Sequence, residues 1–441
     1  VRQALRVGIV DGLEEISVQL KGSYMMNGKI PISGSFTVKC IEGEIRVTTG
    51  EKTFTSNREI SFIASKKANF SLGDVTVGKG FHWERKKKQF FSGNLILKKR
   101  RDKLLCAINE IDLEEYIKSV ISSEMNARSP LEFLKAQAIA ARSWIFSRIK
   151  KKKKRKKENE HEKMEEGEIL RIYGNEEHEL FDVCADDHCQ RYYGITKFAS
   201  EGVEIAVEET RGLVLMYGKS LCDTRYSKCC GGITEEFSTA WEEKKVPYLK
   251  SLADSKWEIP PLRTESDVER WVNSSPHVFC NVKHRGSISK ILSAMDLKTE
   301  EFFRWKVSLS SEELEELIRR KTGVEIGEIK NIQPLSRGPS GRIKRLLLEG
   351  SKGRLVVGKE LEIRRVLSQS HLLSSAFIVK KDLDKKGHLR AIEILGAGWG
   401  HGVGMCQIGA ANMAFMGYNF REILKHYFRG TRIVNLYEKE I

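Results

Sequence analysis

The chain has 441 residues, of which 40% are hydrophobic and 31% charged, with a formal net charge of +16 and only 8 prolines. That length exceeds one ordinary core, so two or three packed units are expected, and the composition is globular rather than low-complexity. No apolar run approaches the roughly 20 residues that span a bilayer. The chain opens on Val1 without a signal or anchor segment, which carries little weight for its location. Nine cysteines is an odd count and implies no disulfide framework.

Residues 1–100 read as strands. "RVGIV", "SFTVKC", "GEIRVTT", "ISFIA" and "GNLILKK" are short β-branched runs punctuated by Gly, Asn and charge, the pattern of a small antiparallel unit. Residues 108–149 turn helical. Asp112 and Glu115 have capping-box spacing, and Leu113, Tyr116, Ile117, Val120 and Ile121 then recur at helical intervals. Glu124 continues that buried stripe, following Ile117 by seven, Val120 by four and Ile121 by three. A carboxyl withdrawn from water favours its neutral form, as a general acid must at neutral pH. The bland alternative is that the helix stops short and the side chain turns to solvent.

Ser129, Pro130 and Glu132 mark a second start, and Leu131, Leu134, Ala138, Ala141 and Ile145 form an apolar stripe to about residue 149. Lys135 and Arg142 border that stripe on one side. They are either cations snorkelling along it or groups that orient Glu124 or bind the hydroxyl and acetamido groups of a sugar. Gln137 is a further candidate for such binding, although it projects elsewhere. Lys150 to Lys157 ("KKKKKRKK") holds half of the excess positive charge and precedes an acidic stretch. The run reads as a solvated, mobile loop, or as an attraction to an anionic polymer or envelope surface. Nucleic acid is not expected as a partner, because no binding module accompanies the run.

In "HELFDVCADDHCQRYYG", His178, Cys184, His188 and Cys189 supply four soft or borderline ligands within 12 residues, a set suited to tetrahedral zinc. The spacing differs from a zinc finger, and Cys229 and Cys230 in "YSKCCGG" are substitute ligands. Four protein ligands would make the ion structural; three would leave a catalytic position open. Beyond it, "ESDVERWV" and "SSEELEELIRRKTG" read as capped amphipathic helices, residues 324–395 as strands with a turn at "RGPSGR", and Gln407 as the start of a last helix. In "GAGWGHGVGMCQIGA" the five glycines of residues 396–404 let the backbone approach a ligand or another strand. No Lys-Ser/Thr pair follows them, which argues against a mononucleotide loop. His401 among them is either a packed residue or a group facing a cleft.

Four stretches, taken together and in order, resemble the stage II sporulation protein D family (the SpoIID/LytB domain). They are "INEIDLEEYIKSVISSEMNARSPLEFLKAQAIAARSWIF", "FDVCADDHCQRYYGIT", "YSKCCGGITEEFSTAWEEKKVPYL" and "GWGHGVGMCQIGAANMAFMGYNFREILKHYF". The resemblance covers nearly all of residues 100–435, with the charged insertion at 150–170 as a departure that falls between motifs. It implies an extracytoplasmic lytic transglycosylase acting on peptidoglycan glycan strands, with Glu124 catalytic and a structural zinc on His178, Cys184, His188 and Cys189. The same family includes enhancers of wall amidases, so a non-catalytic activator is the alternative; a zinc-dependent amidase with Glu124 as base is a third reading. The fold expected is α+β. Antiparallel strand-rich units flank a helical segment: residues 1–100, then a catalytic domain over 101–441 with an α+β subregion at about 255–390.

Overall fold

The computed structural model describes residues 3–50, 52–78, 84–154, 162–165, 167–173, 178–196, 200–299 and 301–438. It is strand-rich and mixed α+β, with ten α-helices among the described residues, in keeping with the expected class. Two compact units emerge: Val1–Arg128 with Glu177–Arg211, and Ser129–Glu176 with Gly212–Lys439. The boundary expected near residue 100 therefore falls inside the first unit. The reason is that the strand and helix following residue 100 pack on the N-terminal strands.

The first unit is built on β1 (Ala4–Leu13), β2 (Glu15–Met26), β3 (Ile30–Ile41), β4 (Glu44–Thr49), β5 (Lys52–Ser56), β6 (Glu59–Ala64), β7 (Asn69–Val77), β8 (Arg85–Ser92), β9 (Asn94–Lys99) and β10 (Leu105–Asp112). With Val183–Cys184 they make one 11-stranded sheet, ordered Val183–Cys184, β1, β10, β9, β6, β2, β3, β4, β5, while β7 pairs with both β2 and β8. All pairings are antiparallel except that of Val183–Cys184, which runs parallel to β1 with Cys184 opposite Gly8. Strict alternation in β2 buries Ile16, Val18 and Leu20 between exposed Glu15, Ser17, Gln19 and Lys21, as a half-buried strand requires.

Helix α1 (Leu113–Glu124) follows β10 directly. Asp112 caps it by accepting the Glu114 N–H. Glu115 does not close the predicted box; it pairs with Lys118 at 2.8 Å. Leu113, Tyr116, Ile117, Val120 and Ile121 are all buried, each contributing about 1.5–3 kcal/mol of transfer free energy. The predicted stripe is packed, and so are Glu114, Ser119, Ser122 and Ser123, which leaves α1 enclosed on nearly every side.

In the second unit α2 (Leu131–Lys154) runs five residues beyond the expected end, so Lys150–Lys154 are helical rather than loop. The rest of the basic run, residues 155–157, lies outside the described residues. The predicted cap at Ser129 is replaced by tertiary bonds. Its hydroxyl donates to the Lys290 carbonyl, and Glu132 accepts from Lys135 and from the Phe420 N–H. Part of the charged insertion is strand: Glu162–Glu165 and Glu168–Arg171 extend a five-stranded sheet through Arg354–Gly358, Ile343–Gly350 and Ile329–Arg337. The helix Ser311–Thr322, expected to be capped, is closed by a capping box of Ser310 and Glu313 and ends on left-handed Gly323. It buries Leu314 and Ile318 against Ile343, Leu346, Leu348 and Val357.

Candidate functional site

Glu124 is the last residue of α1 and only 8% exposed. Its Oε1 accepts the backbone N–H of Arg191 at 3.1 Å. That donor is itself held on both sides. Gln190 accepts the Tyr116 hydroxyl at 3.1 Å, and Tyr192 stacks on the Tyr116 ring at 5.1 Å. The Tyr192 hydroxyl donates to Asn109 of β10, whose amide in turn bonds the carbonyls of Ser92 and Asn94. The Arg191 guanidinium engages Asp187. The helix end, the sheet and the Gln190–Tyr192 segment thus form one hydrogen-bonded clamp around the carboxyl group.

The segment leading into that clamp carries the four predicted metal ligands. The ligand atoms of His178, Cys184, His188 and Cys189 all lie within 4.8 Å of one another, each side chain partly buried. His178 Nε2 is 3.3 Å from Cys189 Sγ, and His188 Nδ1 is 3.7 Å from Cys184 Sγ and 3.5 Å from Cys189 Sγ. Bonds of zinc length at a tetrahedral angle place sulfur and nitrogen about 3.6 Å apart, so both the spacing and the donor set fit one ion. Adjacent His188 and Cys189 do splay to a common point. Cys184 is fixed there by the parallel pairing with β1, and a turn from the Asp186 carbonyl to the Cys189 N–H brings the chain round. The Tyr192 N–H then bonds the Ala185 carbonyl, tying the four-ligand loop to the clamp.

The other predicted site residues belong to the second unit. Lys135 is nearly buried, paired with Glu132 at 2.8 Å and lying over the Phe420 ring. Gln137 has no exposure; its Oε1 accepts from Gln407 at 3.5 Å, and its Nε2 makes no hydrogen bond. Arg142 is likewise enclosed and donates to the Leu213 carbonyl at 3.0 Å. His401 is partly buried, accepts the Val403 N–H at 3.0 Å and meets Trp241 edge-on. Burial, then the guanidiniums of Arg225, Arg342 and Arg364, hold its imidazole well below its usual range, which favours the neutral ring.

The glycine loop around His401 admits neighbouring chain. A Cβ on Gly404 (φ +77) would lie 2.1 Å from the Arg225 carbonyl oxygen, and one on Gly398 would lie 2.7 Å from that of Cys229. Trp399 and Cys229 exchange backbone hydrogen bonds across this contact. Of the two expectations for these glycines, close strand approach is the one this packing uses.

Two groups of consequence went unread in the sequence. Arg191 acts through its backbone, which no side-chain pattern reveals; the only available signal was its place two residues after Cys189. Glu235, fully buried, accepts from the Ser340 hydroxyl at 2.6 Å and from the Glu236 and Ser340 N–H groups; burial raises its carboxyl above the ordinary range. Ser340 also binds Arg342, which reaches the Gly400 and Cys230 carbonyls.

The fold and site define a mixed α+β protein in which a thiol–imidazole loop secures a carboxyl group at a helix end. Residues 101–217 match the model of the stage II sporulation protein family, and residues 235–404 match a domain of unknown function (DUF8618). The chain is 26% identical to stage II sporulation protein D of Bacillus amyloliquefaciens over 74% of its own length and 75% of that protein's. It is 25% identical to the amidase enhancer of Bacillus subtilis over 72% of its length, spanning 40% of that larger protein. An uncharacterized protein of Brachyspira hyodysenteriae is 27% identical over 78% of the chain. The stretch that matches the stage II sporulation protein model contains α1, Glu124 and the His–Cys loop. No helix among the described residues is long and apolar enough to cross a membrane.

Proposed function

We propose that the protein is a lytic transglycosylase that cleaves peptidoglycan glycan strands outside the cytoplasm, with Glu124 as its single catalytic group. The observation that carries the reading is a nearly buried carboxyl that accepts the Arg191 backbone N–H within a hydrogen-bonded clamp. Ordinary glycosidases divide the work between two carboxylates, one acid and one base or nucleophile. A reaction in which the sugar supplies its own nucleophile needs only one.

Glu124 donates its proton to the glycosidic oxygen between N-acetylmuramic acid and N-acetylglucosamine, and that C–O bond breaks. The resulting carboxylate then takes the proton of the muramic primary hydroxyl as its oxygen bonds to the anomeric carbon. The product ends in a 1,6-anhydro ring, Glu124 regains its proton, and no water is consumed. The Arg191 N–H stabilises the carboxylate midway and fixes which oxygen faces the substrate, a preorganised donor of the kind that lowers barriers. His178, Cys184, His188 and Cys189 would hold a structural zinc, whose chemistry is to staple the loop that positions Arg191. Lys135 and His401 remain candidates for glycan contact, whereas Gln137 and Arg142 are fully enclosed and would reach a glycan only if their surroundings opened.

The relative named an amidase enhancer supports a second reading, a glycan-binding activator that performs no chemistry and acts through a wall amidase. The two separate on one variant. With purified glycan strands stripped of peptides, Glu124→Gln is expected to abolish anhydro product while circular dichroism and bound zinc stay unchanged. Wild-type protein that releases nothing, yet stimulates an amidase as well as Glu124→Gln does, would establish the activator instead.

A further inference from the structure

A second group of metal-binding side chains lies in the second unit, in segments far apart in the chain. The ligand atoms of Cys230, Asp254, Cys280 and Cys406 are all within 4.8 Å of one another, and all four residues are buried. Cys230 Sγ is 3.6 Å from Cys280 Sγ and 3.3 Å from Asp254 Oδ2. Two thiolates on one tetrahedral zinc stand about 3.8 Å apart, and a thiolate and a carboxylate oxygen about 3.6 Å apart. A disulfide would need its sulfurs at about 2.05 Å. An iron–sulfur cluster would spread the cysteines farther, because several iron and sulfide atoms lie between them.

The surroundings are those of a metal–thiolate site. Backbone N–H groups point at the sulfurs: Gly232 donates to Cys230 at 3.3 Å, and Cys230 donates to Cys406 at 3.1 Å. Cys406 is also the N-cap of the helix Gln407–Phe415, where the helix dipole favours a negative sulfur. Tyr427 donates to Asp254 Oδ1 at 2.6 Å and so orients the other oxygen, Oδ2, toward the thiols, as outer partners orient metal ligands. Gly409 leaves the space, since a Cβ there would lie 2.5 Å from Asp254 Oδ2. The cost of burying this carboxyl among three thiols is offset if a cation sits between them.

We infer that Cys230, Asp254, Cys280 and Cys406 bind one zinc ion, a second and purely structural site independent of the catalytic reading. The ion joins the turn at Cys230, the segments at Asp254 and Cys280, and the start of the helix at Cys406. Four protein ligands leave it no open position. Cys229, beside Cys280 and Cys406, is the reserve thiol.

The test is metal content of the full chain, purified under reducing conditions with zinc supplied. Two zinc ions per chain are expected in the wild type, one in Cys280→Ser/Cys406→Ser and one in Cys184→Ser/Cys189→Ser. An unchanged zinc content in the folded Cys280→Ser/Cys406→Ser protein overturns the inference, as does iron with acid-labile sulfide in place of zinc. Should that variant fail to fold, cobalt-loaded wild type decides. Its thiolate-to-metal absorption should match five cobalt–sulfur bonds, and absorption matching the two of Cys184 and Cys189 alone overturns the site.

Discussion

A glutamate at a helix end ordinarily swings into water, whereas Glu124 is nearly enclosed and bonded to the Arg191 N–H. Its burial was legible because it continued a periodic stripe, although α1 is enclosed on nearly every side and not on that stripe alone. Arg142 is the contrasting case. Seven residues from Lys135, it read first as a snorkelling cation and second as a ligand for sugar, and its side chain is instead fully enclosed against the Leu213 carbonyl. Truncation there removes a large buried side chain and strands an acceptor. Arg142→Ala is therefore expected to cost about 3 kcal/mol or more of folding stability. The check is a urea midpoint that falls well below that of the wild type. An unshifted midpoint with weakened glycan binding would restore the ligand role.

At the scale of elements, chain-local signals were readable and tertiary ones were not. The helices Glu265–Val272, Ser311–Thr322 and Gln407–Phe415 stand where caps and periodicity placed them. Glu201–Glu209, Glu360–Val366 and Phe420–Tyr427 went unread: Ser200 and the Asn419–Glu422 capping box were the available signals for the first and last, and Lys359 gives the second no side-chain cap. The Ser129 start carried the right residues, but its groups bond to distant segments instead, so a local motif lost to tertiary partners. The His–Cys cluster was legible from four His and Cys donors lying within 12 residues of chain. The second cluster was not, because Cys230, Asp254, Cys280 and Cys406 meet only in the fold. The glycine loop permits a prediction at this scale. Gly404→Ala forces a left-handed residue and a Cβ against the Arg225 carbonyl, and should cost about 2 kcal/mol or more. A thermal midpoint equal to that of the wild type would contradict the close approach.

For the molecule as a whole, the residues on which the proposed reaction rests are concentrated in the first unit. The sheet supports α1, α1 presents Glu124, and the His–Cys loop leads into the segment whose Arg191 N–H bonds that carboxyl group. Zinc in this account acts through geometry, so its removal should loosen the clamp rather than abolish a bond-making step. The basic balance of +16 suits a polymer carrying acidic groups. What distinguishes the proposed reaction from any hydrolysis is the origin of the oxygen that ends at the anomeric carbon. Digestion of peptide-free glycan strands in oxygen-18 water, followed by mass spectrometry, reads that origin directly. The account predicts anhydro-muramic ends with no heavy oxygen; reducing ends that carry oxygen-18 would contradict it.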